Sequence, residues 1–336
     1  MSQKNQLFDD QLIVITGAAG FIGSNVVRYL NDQGYSNLLL VDDFKCTQKW
    51  KNLRGKRFSD FISRYELMDF LQGREREIEA FIHLGACSDT VELDGDYFME
   101  TNYRYSIELA EYALSHGHRF IYASSAATYG DGKLGFSDDH NALESLMPLN
   151  LYGFSKHMFD MWLKEHDALN DVVGLKYFNV FGPNEWHKGR MASMGLHLTN
   201  RIEKEGNAQL FQSSEPDKYK DGEQKRDFIY VKDAAQITCS FLSNDLTGIY
   251  NVGRGEGVTW NRFANAVFSA LGKEPKIDYI PMPKDLIKGY QNYTSADLTK
   301  FRAQLEKAEL DPLKFHSIEE AMKDYVQNHL LPGVYA

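Results

Sequence analysis

Three short clusters in this sequence combine residue types that do chemistry. The first is Tyr152-x-x-x-Lys156, whose spacing of four puts both side chains on one helical face. A phenol has a pKa of about 10, so it becomes a proton acceptor near neutral pH only beside positive charge. A lysine ammonium on the same face, together with a cationic cofactor ring, supplies that charge. The second is Ser125, in the run FIYASSAATY from Phe120 to Tyr129, a hydroxyl at a strand end suited to holding a substrate oxygen. The third is Gly17-x-x-Gly20-x-x-Gly23, directly after Thr16. Glycines at this spacing allow a tight turn, close backbone approach to a pyrophosphate and close packing of helix on strand. Asp42, ending the next apolar run, stands where a dinucleotide fold places an acid on the adenosine ribose. Lys45 and Lys49 follow it and suit a 2'-phosphate, which leaves NAD and NADP both open at this point.

Such groups meet only if strands and helices alternate to carry them, and the apolar pattern does alternate. Leu12 to Thr16, Leu38 to Val41, Ala80 to Leu84, Phe120 to Ala123 and Val172 to Tyr177 are short, nearly charge-free runs, as expected of buried parallel strands. Ile22 to Asn31, Tyr97 to His116 and Ser155 to His166 carry helical spacing. The expectation is an α/β, doubly wound, Rossmann-like parallel sheet, with ligands beyond the carboxyl ends of its strands. Leu84, Gly85, Ala86, Cys87 and Ser88 follow one such strand and are small enough to let backbone approach a cofactor. After Tyr177 the texture becomes richer in Gly, Ser, His and Lys, with a polar loop at Ser213 to Gln224. Phe228 to Val231, a helix from Asp233 to Leu242 and Ile249 to Val252 then resume the sheet pattern. This predicts a cofactor domain from 11–178 plus about 228–256 and a smaller, discontinuous α/β substrate domain from about 179–227 plus 257–333. Residues 1–10 form a polar extension.

The chain of 336 residues is long enough for about two domains. Its formal charge of -10, with no strong basic patch, argues against nucleic acid and anionic membrane as partners. No apolar stretch approaches a membrane span or a signal peptide, which predicts a cytoplasmic protein. Cys46, Cys87 and Cys239 lack the spacing of a metal site or a disulfide framework and read as reduced thiols; no metal is expected.

Taken together, the motifs resemble the extended short-chain dehydrogenase/reductase family, whose members bind NAD(P) and oxidise and re-reduce nucleotide-linked sugars. Within it, HLGACSDT from His83, LNLYGFSK from Leu149, KYFNVFGPNEWHKGRMAS from Lys176, KRDFIYVKD from Lys225 and YQNYTSADL from Tyr290 are similar to the branch that inverts C6 of ADP-linked heptose for lipopolysaccharide core assembly. The resemblance implies cofactor contacts from Phe21, Ile22, Asp42, Asp43, Lys49, Arg64, Leu84 to Ser88, Asn102, Lys156 and Val180. It moves the cofactor toward NADP, with Lys49 on the phosphate. It implies ADP-sugar contacts from Asn179, Arg190, His197, Phe211, Gln212, Ser213, Ser214, Arg226 and Tyr290, a second acid/base group at Lys188, and a homo-oligomer, in the family a homopentamer. Asp43, Arg64 and Arg190 depart from the family's usual asparagine, lysine and serine, and the loop before Arg226 is longer. Ala126-Ala127 stands where sugar dehydratases carry an Asp-Glu pair. The alternatives are a UDP-hexose 4-epimerase and a non-catalytic NADP-binding subunit.

Overall fold

The computed structural model describes residues 11–44, 47–287, 290–312 and 314–336. The polar extension Met1 to Asp10, Lys45 and Cys46 lie outside the described residues. Chain order begins β1 (Leu12–Thr16), α1 (Phe21–Asp32), β2 (Leu38–Val41), β3 (Asp60–Ile62), α2 (Leu67–Leu71), β4 (Ile78–His83), α3 (Gly95–Phe98), α4 (Tyr105–Ser115), β5 (Arg119–Ser125), α5 (Leu151–Glu165) and β6 (Val173–Tyr177). It continues β7 (Asn179–Phe181), α6 (Met194–Glu205), β8 (Ala208–Phe211), β9 (Lys225–Tyr230), α7 (Val231–Ser240), β10 (Gly248–Val252), β11 (Gly257–Thr259), α8 (Trp260–Leu271) and β12 (Ile277–Ile280), then helices at Thr299–Lys307 and Ile318–Asp324.

Seven strands form one parallel sheet in the order β10-β6-β5-β4-β1-β2-β3. Strands β1, β2 and β6 are buried at every residue, which is why they read as largely apolar runs, broken in β6 by Lys176. One face packs Val26, Val27 and Leu30 of α1 with Ala234 and Ile237 of α7; the other packs Leu109 of α4 with Phe159 and Leu163 of α5. Strand order reverses between β1 and β4, so the crevice at their carboxyl ends is where such a sheet takes a ligand.

The expectation at Phe228 to Val231 needs correction. That strand, β9, pairs with β7 in parallel and β11 in antiparallel, in a separate three-stranded sheet. It cannot join the large sheet beside β6 because β10 holds that edge, Gly248 opposite Val173. A third core, with Phe181, Leu198, Phe228, Phe263 and Met322, lies under this small sheet. Among the described residues no helix is long and apolar enough to cross a membrane.

Candidate functional site

The glycine loop lies in the β1/β4 crevice. Gly17 adopts φ +67°, and a Cβ there would fall 2.7 Å from the Gly85 backbone nitrogen; a Cβ at Gly23 would fall 2.2 Å from the Gly17 carbonyl oxygen. Both positions therefore exclude side chains. The first turn of α1 has Gly20 as its N-cap, with no side-chain cap and no acidic residue, so its amides face the crevice without a competing acceptor. Asp42 sits at the end of β2, accepting from Ala19 N (2.9 Å), Asp43 N (2.7 Å) and Lys49 Nζ (2.6 Å). Arg64 pairs with Asp43 at 3.2 Å and donates to Thr101 Oγ1. This donor set, together with the bare loop, fits an adenine dinucleotide.

Beyond β4, Leu84, Gly85, Ala86 and Cys87 are partly exposed along the crevice and Ser88 is exposed. Asn102, fully buried, clamps this segment: Oδ1 accepts from Cys87 N (2.8 Å), while Nδ2 donates to Cys87 O and Ser155 Oγ (both 2.9 Å). It lies in a π-helical turn, Met99–Arg104, joining α3 to α4, so the helix expected over Tyr97 to His116 is continuous but locally widened. His83 bridges Thr16 Oγ1 (2.6 Å) and Ser106 Oγ (2.9 Å), and burial, with the Lys156 charge, pushes its pKa down to about 3.

Ser125 ends β5, and its Oγ accepts from Ala127 N. Helix α5 starts one residue before Tyr152 because Asn150 caps it, accepting from Gly153 N at 2.8 Å. Gly153 lets that turn press on the chain after β5: a Cβ there would fall 2.7 Å from the Ala127 carbonyl oxygen. The phenol of Tyr152 thereby reaches the Ser125 hydroxyl. Burial raises the Tyr152 pKa, opposed by the Ser125 hydrogen bond. Lys156, buried one turn on, is pushed down to about 8 by burial, opposed by Asp160. A protonated phenol beside a readily titrated ammonium is an arrangement for passing a proton.

The chain after β7 forms a 3-10 turn, Trp186–Met191. Its Lys188 ammonium lies 5.1 Å over the Phe21 ring, beside the glycine loop, and burial lowers its pKa against the opposing Glu185 charge. His187 is held near a pKa of about 4 by burial and by Lys49 and Lys188. Asn179 is exposed and donates to Asp227 O; Val180 and Ile22 are partly buried between the two units. Arg226 is buried and stacks 4.8 Å over Tyr290, whose hydroxyl accepts from Trp260 Nε1. Phe211 ends β8 and Gln212 follows it, Ser213 N donates to Asp221, and Ser214 Oγ donates to Asn292. Arg190 is different: it is exposed and pairs with Asp89 at 3.3 Å, while its carbonyl meets His197 Nε2.

Several supporting residues went unread in the sequence. Asp160 accepts from Tyr122 OH, Ser124 Oγ and Lys176 Nζ at 2.9, 2.8 and 2.7 Å, with Asp160 and Lys176 fully buried. The signals were an acid four residues after Lys156 and a lone lysine in an apolar strand. Asp227 accepts three backbone N–H groups, from Arg254, Gly255 and Ala296, and fixes the strand that carries Arg226. Among the described residues no group of three or more His, Cys, Asp or Glu is placed to hold a metal.

With this geometry in hand, comparison with known proteins is specific. A profile of the NAD-dependent epimerase/dehydratase family matches residues 13–253. The chain is 44% identical over 322 residues to an ADP-L-glycero-D-manno-heptose-6-epimerase of Nitratidesulfovibrio vulgaris, covering 95% of this chain and 98% of that one. An enzyme of the same name from Fusobacterium nucleatum is 43% identical over 331 residues, with the same coverage. The solved structure of the Helicobacter pylori enzyme of that name superposes with a TM-score of 0.79 at 30% identity, over 98% of this chain and 99% of that one.

Proposed function

Because the chain belongs to the NAD-dependent epimerase/dehydratase family, we infer that it inverts C6 of an ADP-linked heptose. It interconverts ADP-D-glycero-D-manno-heptose and ADP-L-glycero-D-manno-heptose by transient oxidation at that carbon. The observation carrying this is the near full-length identity to curated heptose epimerases. Abstracting a proton from an unactivated carbinol carbon faces a very high barrier; a bound nicotinamide cofactor supplies reversible hydride storage instead.

The chain's own residues do the rest. Gly17, Gly20, Gly23, Phe21, Ile22 and the open α1 amides hold the pyrophosphate, and Asp42 and Asp43 the ribose side. Lys49 and Arg64 receive a 2'-phosphate, which favours NADP, and Leu84 to Ser88, fixed by Asn102, and Val180 line the path to the nicotinamide. Tyr152 exchanges a proton with the C6 hydroxyl, Ser125 holds that oxygen, and the Lys156 ammonium stabilises the phenolate. The resulting C6 ketone needs a second donor for reduction on its other face, and Lys188 takes that role. Asn179, Arg190, His197, Phe211, Gln212, Ser213, Ser214, Arg226 and Tyr290 hold the ADP-sugar between the large-sheet domain and the unit built on the three-stranded sheet. We place the reaction in the cytoplasm, supplying lipopolysaccharide heptose, in a homo-oligomer. Support for these settings comes from the family resemblance.

Incubation with ADP-D-glycero-D-manno-heptose, followed by NMR of the product, tests the reading: the L-glycero epimer should accumulate to an equilibrium mixture. Turnover of UDP-hexose instead would overturn it. Tyr152→Phe should lose at least ~10²-fold in turnover while retaining cofactor, and near-normal turnover would refute the role of the phenol.

A further inference from the structure

Asn52 lies one turn along the short 3-10 helix that carries Lys49, is 1% exposed, and belongs to none of the groups assigned above. Its amide nitrogen donates to Ala19 O of the glycine loop (2.8 Å) and Asn184 O (3.2 Å), and lies 3.2 Å from His187 Nδ1. Its two hydrogens thus reach two carbonyls on segments more than 130 residues apart, beside the His187 ring nitrogen. Its Oδ1 is buried without a partner, a polar atom that an apolar side chain of equal size would not strand. The amide is oriented by what its nitrogen reaches.

The segment it grips is built to be gripped. Asn184 is fully buried at φ +76°, strained for a residue with a side chain, and donates to Ser24 Oγ of α1 at 3.0 Å. Asn25 of α1 donates to Pro183 O at 3.1 Å. Trp186 packs 4.4 Å from the Tyr335 ring, which Arg54, two residues past Asn52, covers from 4.8 Å. Lys188 follows directly, its ammonium over Phe21. The glycine loop, the Lys49 helix and the Lys188 turn therefore meet at one amide.

We propose that Asn52 is a positioning residue that locks the Lys188 turn to the cofactor-binding loop, so that the second acid/base group is aimed by the same element that holds the ribose end of the cofactor. The proposal rests on the role given above to Lys188. A proton donor displaced by about 1 Å can lose ~10²-fold in rate, so a hydrogen-bonded tie at this point bears directly on turnover.

The test uses Asn52→Leu, close in size and without donors, in the full chain. Amide hydrogen exchange of the cofactor-free protein should quicken at least ~10-fold over residues 186–191 and stay unchanged in α5. Rapid mixing of the cofactor-loaded protein with each heptose epimer separately should show hydride removal slowed ~10-fold or more for one epimer only, the one that Lys188→Ala also slows. Unchanged exchange over 186–191, or equal slowing of both epimers, overturns the proposal. If Lys188→Ala slows both epimers or neither, the acid/base reading of Lys188 fails, and the exchange result alone then decides whether Asn52 holds the turn. Should Asn52→Leu not fold, Asn52→Ser, smaller and keeping one donor, is read by the same two measurements and the same criteria.

Discussion

Replacing Asp160 by asparagine probes the platform beneath the Ser125 and Tyr152 pair. Asp160 and Lys176 are 2.7 Å apart with neither side chain exposed, and Lys176 also donates to Thr128 Oγ1 at 2.6 Å. Asparagine keeps the shape and one carbonyl acceptor for Tyr122 or Ser124, but leaves the Lys176 ammonium buried without a counter-charge. Breaking a buried pair from one side typically costs ~3–5 kcal/mol. At a size where each kcal/mol shifts melting by about 2 °C, Asp160→Asn should melt ~6–10 °C lower. Adding Lys176→Met removes the stranded charge, so the double variant should recover at least ~2 kcal/mol relative to the single. Thermal and urea unfolding of the cofactor-free protein at pH 7 measure both. An Asp160→Asn protein within ~1 kcal/mol of the native one, or a double variant no more stable than the single, would show that this pair does not hold the platform.

Lys188→Ala should lower kcat at least ~10²-fold if the ammonium acts as acid and base, whereas a phosphate anchor would raise KM and spare kcat. Lys49→Ala should weaken retention of NADP more than of NAD, read by denaturing the purified protein and identifying the released nucleotide; equal retention of both removes Lys49 from the phosphate site. Lys156 titrates near 8 when folded against 10.5 as a free side chain. Below pH 8 it is charged in both states and its burial is a cost; between about 8 and 10.5 only the unfolded chain keeps the proton, so stability rises with pH. Relative to Lys156→Met, the native cofactor-free protein should gain ~2–3 kcal/mol between pH 7.5 and 10 by urea unfolding, and no relative gain contradicts the burial of a charged Lys156.

Much of the nucleotide half was legible residue by residue. Leu12 to Thr16 and Leu38 to Val41 are strands at the expected bounds, because strands buried on both faces need uninterrupted apolar side chains. Gly17 and Gly23 announced themselves because positive φ and backbone contact leave no room for a Cβ. Tyr152 and Lys156 were visible because a spacing of four is a property of the helix itself. The small sheet was not: β9 has the composition of any buried strand, and only occupation of the β6 edge by β10 sends it to β7. Nor was Asp160, whose partners lie 36 and 38 residues earlier, or Asn52, whose amide closes on Asn184 across 132 residues. Periodicity and glycine placement follow from local backbone geometry and are written along the chain. Which distant donor meets which acceptor follows from how whole layers pack, and that is decided only when the sheet, its helices and the smaller unit are in place.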